Sequence, residues 1–247
     1  MTQTKIGIIG AMEVELALLK KQLKPILGQN TVKETLIGSR TFIEGNLNGT
    51  NVVLVQCGVG KVNAALCAER LIIQFGVTHI INTGIAGAMA NGLRVLDFVV
   101  STDAVYHDFN VGYFGYKLTA IPGMGDSTFV SDSKLVQIAK KAFSSLSESE
   151  NHQLVEGRIA SGDQFIASSE QKAHIRQICN PACVEMEGAA IAHTCYLEKI
   201  PFVIIRCMSD MADNEGGKTY DFNEETAANL SAHFVSEILS QLNQNNF

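Results

Sequence analysis

Two patterns of apolar residues alternate along the chain. Short runs rich in β-branched residues, "KIGIIGAM", "NVVLVQCG", "THIINTG", "ACVEM" and "PFVIIRCMSD", are apolar at nearly every position. Most of them lead into stretches with apolar residues at helical spacing: "EVELALLKKQL", "GKVNAALCAERLIIQFG", "EGAAIAHTCYLEK" and a long C-terminal segment from about Asn223 to Leu242. "THIINTG" instead runs into the glycine-rich "GIAGAM". A strand with no polar face is buried on both sides, so the alternation predicts a mostly parallel central sheet covered by helices on both faces. Thr31 to Cys57 departs from this. Its three strand-like segments, separated by turns at "IGSR" and "LNGT", predict an antiparallel meander, which makes the sheet mixed.

There is no internal repeat and no proline-rich linker in the 247 residues, a length that suits one α/β domain spanning 1–247. Residues 108 to 128 form a long loop rich in glycine and aromatic residues, and loops of that length in compact domains are usually functional. The terminal "NQNNF" is expected to fray.

Composition narrows the class. A hydrophobic share of 46% and a charged share of 18%, with no apolar run of about 18 residues, describe a globular chain without a membrane span. The N-terminal apolar run reads as a strand rather than a signal peptide, so the cytoplasm is the expected location. Cys57, Cys67, Cys179, Cys183, Cys195 and Cys207 form no C-x-x-C pair and are expected to be buried thiols in a reducing compartment. The net charge of -6 argues against a surface that tracks nucleic-acid phosphates, which leaves a small molecule as the expected ligand.

In an open α/β sheet ligands bind beyond the carboxyl ends of the strands, so polar residues just after the apolar runs are the candidates for chemistry. Met12, Glu13 and Glu15 follow the first run. Thr83 to Gly87 follow "IIN", Glu185, Met186 and Glu187 follow "ACV", and Ser209 and Asp210 follow "FVIIRCM". Taken singly, Glu15 and Glu187 could merely complement a helix dipole and Asp210 could cap a loop. Gathered at one sheet edge among Met12, Met186 and Met208, they would form a dry, mutually repulsive cluster. Desolvation and like charge would then raise a carboxyl pKa far enough for it to serve as a general acid.

Other motifs carry less. "CGVGKVNAAL" imitates a dinucleotide fingerprint but lacks its third glycine, and the next strand ends without an acid for a ribose hydroxyl, so tight strand–helix packing is the preferred reading. No phosphate-binding G-x-x-x-x-G-K-[ST] loop and no G-x-S-x-G elbow is present. His107-Asp108 has no further histidine at ligand spacing, so no metal is expected.

In order, "IGIIGAMEVE", "GVGKVNAA", "INTGIAGA", "YHDFNVGYFGY", "ASGDQFI", "VEMEGAAIAH" and "RCMSDMAD" resemble the bacterial 5′-methylthioadenosine/S-adenosylhomocysteine nucleosidases of the purine nucleoside phosphorylase superfamily. The likeness runs from Lys5 to about Leu242. It implies a nucleoside phosphorylase-like fold, a homodimer, and cofactor-free hydrolysis of the adenine–ribose bond in 5′-thio-substituted adenosines. It also implies that Glu15 is the base that activates water, Asp210 the acid that protonates adenine N7, and Glu187 the carboxylate that holds the ribose hydroxyls. Met12, Val59, Phe165, Ile166 and Met186 would form apolar walls, with Arg206 a support near the water. Ala86, Gly87, Ser209 and Tyr220 would complete the substrate-binding set. Val111, Phe114 and Pro122 would close the 5′ pocket of a partner subunit. Ile85 stands where many members of the family carry serine, and Tyr220 where phenylalanine is common.

The chemistry fits these residue types. Cleaving a ribosyl C–N bond passes through an oxocarbenium-like state that carboxylates stabilise, adenine leaves well only when protonated, and water needs a base. Glu185 is expected to point away from Glu187. A phosphorylase, which would need a cation where Glu15 stands, is the nearest rival. A nucleoside-binding module without catalysis is the other.

Overall fold

A computed structural model describes residues 4–125 and 127–244 of the chain. The first apolar run forms β1 (Lys5–Gly10), and α1 (Glu13–Gln22) follows. The meander is β2 (Lys33–Ile37), β3 (Arg40–Leu47) and β4 (Thr50–Gln56), then α2 (Lys61–Ile73). Next come β5 (His79–Ala88), β6 (Phe98–Tyr106), the short β7 (Phe129–Val130) and α3 (Ser133–Ser144). After these are β8 (Leu154–Ser161), α4 (Ser169–Cys179), β9 (Cys183–Glu185), α5 (Gly188–Glu198), β10 (Phe202–Asp210) and α6 (Gly216–Gln244).

Among the described residues the strands form one mixed sheet, with helices on both faces. The expectation of a mixed, mostly parallel sheet with an antiparallel meander holds. β1 pairs in parallel with β4 and β5, β5 with β10, β6 with β8, and β8 with β9. Antiparallel pairing is the β2–β3–β4 meander and, outside it, three short ladders that the apolar runs did not announce: β10 with β6, β5 with β9, and β6 with β7. The near-continuous apolar runs signalled burial on both faces, which a curled sheet imposes on antiparallel strands as well. The curl arises because β5 outruns β1. Its first half pairs with β1 and its last residues, Gly87 and Ala88, with β9, while β10 lies along its other edge. The path β5–β10–β6–β8–β9 thereby closes back on β5.

One face packs on α2 and α5 through Cys67, Ala68, Leu71, Ala189, Ile191 and Cys195. The other packs on α1, α3 and α6 through Leu16, Leu19, Leu135, Ala139, Phe234 and Ile238. All six cysteines are buried free thiols, as their apolar surroundings foretold. No helix among the described residues is long and apolar enough to cross a membrane. The C-terminal helix starts earlier than about Asn223, because Asp213 caps the turn ahead of it by accepting from Glu215 N–H at 3.0 Å, and "GGK" then continues as helix. Of the tail expected to fray, residues 245–247 lie outside the described residues.

Candidate active site

A cavity of about 430 Å³ opens where β1, β5, β9 and β10 end. Strand register and local irregularity bring its acids together. β10 carries a bulge between Met208 and Asp210 against β5, and Ser209 is the extra residue. Neighbours on a regular strand face opposite sides, but a bulge re-aims them. Ser209 and Asp210 therefore both line the cavity.

Glu15, in the first turn of α1, is buried and held by backbone donors. Ala11 N–H and Met12 N–H donate to its Oε2 at 2.6 and 2.9 Å, and Ile85 N–H donates to Oε1 at 3.1 Å. Oε2 is thus fully used, while Oε1 keeps a lone pair for the cavity. Burial pushes the Glu15 carboxyl above the usual range, and the Arg206 guanidinium and the three amides only partly oppose the shift. Space for this carboxylate is made by Gly84, where a Cβ would lie 2.4 Å from Glu15 Oε1.

Asp210 is held more lightly. Its Oδ1 accepts from Ala212 N–H at 2.7 Å, and Ser209 Oγ donates to Oδ2 at 2.9 Å. Burial raises its pKa, and these bonds only partly oppose the shift. Gly87 makes room here, since a Cβ would come within 2.9 Å of Asp210 Oδ1. The two glycines of "GIAG" thus each admit one acid.

Glu187 precedes α5, and its Oε1 accepts from Gly60 N–H at 2.7 Å. Burial, then the charge of Glu185, pushes its carboxyl up to about 8. Glu185 does not point away, contrary to expectation. Residues two apart on a strand share a face, β9 stops at Glu185, and both acids line the cavity. Glu185 braces the turn into α5. It accepts from Glu187 N–H at 3.0 Å, Gly188 N–H at 2.7 Å and Arg206 Nη2 at 2.5 Å, and it bonds Ser161 Oγ. Arg206 does not line the cavity. Fully buried behind it, Arg206 also donates to Asn82 Oδ1 at 2.5 Å and to the Ile205 carbonyl at 3.0 Å.

Met12, Val59, Ala86, Phe165, Ile166, Met186 and Tyr220 supply the remaining expected walls. Phe165 meets Tyr220 edge to face at 5.6 Å between centroids, and Tyr220 Oη donates to Glu224 Oε1 at 2.7 Å. Asp108 Oδ2 accepts from Lys61 Nζ at 2.5 Å, and among the described residues no three His, Cys, Asp or Glu side chains cluster as metal ligands.

Residues 5–240 match the family model of the phosphorylase superfamily. The 5′-methylthioadenosine/S-adenosylhomocysteine nucleosidase of Colwellia psychrerythraea is 43% identical over 241 residues, 96% of each chain. A crystal structure of the nucleosidase from that organism, in complex with adenine, matches with a TM-score of 0.90 and 42% identity, covering 98% of this chain and 96% of that one. The Neisseria meningitidis nucleosidase in complex with methylthio-immucillin-A matches with a TM-score of 0.88 and 39% identity, covering 96% and 99%. The chain belongs to the 5′-methylthioadenosine/S-adenosylhomocysteine nucleosidases of the phosphorylase superfamily.

Membership makes the fold nucleoside phosphorylase-like and the reaction class N-glycosyl hydrolysis with adenine as product. Within this nucleosidase, Val111, Phe114 and Pro122 lie outside the cavity of their own chain, with Phe114 73% exposed. Sequence reasoning missed Ala11, Gln164, Val184, Gly217 and Asp221 as cavity residues. Ala11, Gln164 and Val184 neighbour expected residues and could have been added by adjacency. Gly217 and Asp221 arrive on helical turns whose glycines read as loop.

Proposed function

We propose that a 5′-thio-substituted adenosine occupies the cavity, with Asp210 protonating adenine N7, Glu15 activating water and Glu187 holding the ribose hydroxyls. The observation that carries this reading is the unequal anchoring of the two catalytic acids. Glu15 accepts three backbone N–H groups, donors that an anion uses better than a neutral carboxyl and that oppose the raising effect of its burial. Asp210 accepts a single backbone N–H, and burial favours its protonated form. One neutral and one ionised acid are what departure of adenine and attack by water require.

As the C–N bond lengthens, positive charge grows on the ribose, and Glu15 and Glu187 stabilise it in a site with apolar walls. Ribose hydroxyls donating to Glu187 draw its raised pKa back toward the ionised form. Hydrolysis is favoured over phosphorolysis because among the described residues no lysine, arginine or histidine lines the cavity to bind a phosphate, which the Glu15 carboxylate would repel. A cytoplasmic homodimer, whose loop residues Val111, Phe114 and Pro122 complete the partner's 5′ pocket, belongs to the same reading.

The test is to incubate the protein with methylthioadenosine, with and without phosphate, and identify the sugar. Methylthioribose formed regardless of phosphate supports the reading. Methylthioribose 1-phosphate formed only with phosphate would reverse it, and absence of adenine would favour a binding module.

A further inference from the structure

Glu187 takes its position from a single backbone donor, Gly60 N–H, so whatever holds Gly60 also holds the ribose carboxylate. Gly60 sits at φ 100°, ψ 161°, a backbone region open essentially to glycine, and α2 has no side-chain cap of its own. Its next amide is capped from far along the chain: Lys61 N–H donates to Asp163 Oδ1 at 2.9 Å. Asp163 N–H in turn donates to Asp108 Oδ2 at 3.0 Å, and Lys61 Nζ donates to the same oxygen at 2.5 Å. Lys61 Nζ also lies 3.6 Å from Asp163 Oδ2, which closes the circuit. Asp163 immediately precedes Gln164, Phe165 and Ile166, which wall the cavity.

We propose that Asp163 is a positioning residue for ribose recognition, a cap supplied to α2 from the β8–α4 loop that fixes the Gly60 amide on Glu187 and ties it to the Phe165 wall. Two successive amides at the start of α2 thereby serve two carboxylates, one facing substrate and one facing structure. Asp163 never touches the sugar, and it acts through Gly60. The inference rests on the ribose assignment of Glu187.

The experiment compares D163A, D163N, E187Q and the D163A/E187Q double variant on methylthioadenosine and its 2′- and 3′-deoxy analogues. The Asp163 side chain is about half exposed (53%), so its replacement leaves the core intact. D163A is expected to lower kcat/KM for methylthioadenosine roughly tenfold, mainly through KM, with a much smaller loss on the deoxy analogues. D163N, whose Oδ1 still accepts from Lys61 N–H, is expected to recover most of it, and the double variant to be no worse than E187Q. Equal losses on all substrates, full additivity with E187Q, or no loss at all would overturn the inference while E187Q still erodes hydroxyl discrimination. If E187Q leaves that discrimination intact, the ribose assignment falls first and the inference with it.

Discussion

Glu15 and Asp210 show how much a carboxylate's role depends on its donors. Glu15→Gln is expected to lower kcat by about 10²–10⁴, because an amide cannot take a proton from water, and Asp210→Asn by a similar factor, because it cannot deliver one. Steady-state kinetics alongside calorimetric binding of an adenine-containing inhibitor checks both, and near-normal turnover in either variant removes that residue from its role. Glu187 carries a cost in stability. Its carboxyl moves from an ordinary 4.5 up to about 8, so the folded state holds the proton more tightly than the unfolded chain. That contribution is whole below 4.5 and is lost as the pH rises through about 8. Glu187→Gln is therefore expected to melt higher than the parent at pH 8, by an amount on the order of a few kcal/mol, and closer to it at pH 5. Parallel melting curves at the two pH values would refute the shift. The acids were legible as residues that follow apolar runs, but their partners were not. Glu185 and Arg206 pair across the fold, and no local pattern announces a pair separated by 21 positions.

At the scale of elements, β5 does more than its apolar run suggests. Gly84 and Gly87 read as a generic glycine turn in sequence, yet each leaves the volume that one carboxylate, Glu15 or Asp210, occupies. Gly84→Ala is expected to keep the fold, since the backbone there does not have a positive φ, while the added methyl group displaces Glu15 Oε1. Turnover should drop by about 10² with a stability loss of only about 1–3 kcal/mol. Parent-like kcat in a folded variant would show that Glu15 does not need that space. Strands and helices of one chemistry each were readable, including the meander and its two turns. Three things were not: the antiparallel closure, because burial on both faces looks alike in either strand direction; the bulge at Ser209, which depends on register; and the first turns of α6, where glycines hid a helix that follows the turn capped by Asp213. The Gly58–Gly60 turn was read as packing. It packs, and it also donates to Glu187.

For the whole molecule, the cavity and the exposed surface tell a joint story. Tyr113, Phe114 and Tyr116 of the 108–128 loop and Val62 and Leu66 of α2 are exposed, and exposed apolar side chains are what an association face is built from. Lys61 and Asp108 link α2 to the start of that loop, so these side chains and Glu187 share one support. A homodimer that covers this face would place Val111, Phe114 and Pro122 of one protomer over the 5′ side of the other's cavity. Adenine and ribose would then be recognised by one chain and the 5′ substituent by two. Phe114→Ala is expected to lower kcat/KM for methylthioadenosine several-fold more than for adenosine, because adenosine lacks the alkylthio group that the ring would cover, and burying an aromatic ring contributes about 1.5–3 kcal/mol. Light scattering must show the same oligomer before and after the change, so that the effect is one of contact and not of assembly. Equal losses on the two substrates with an intact dimer would place the loop elsewhere, whereas a monomeric parent protein that remains fully active would remove the partner from the site altogether.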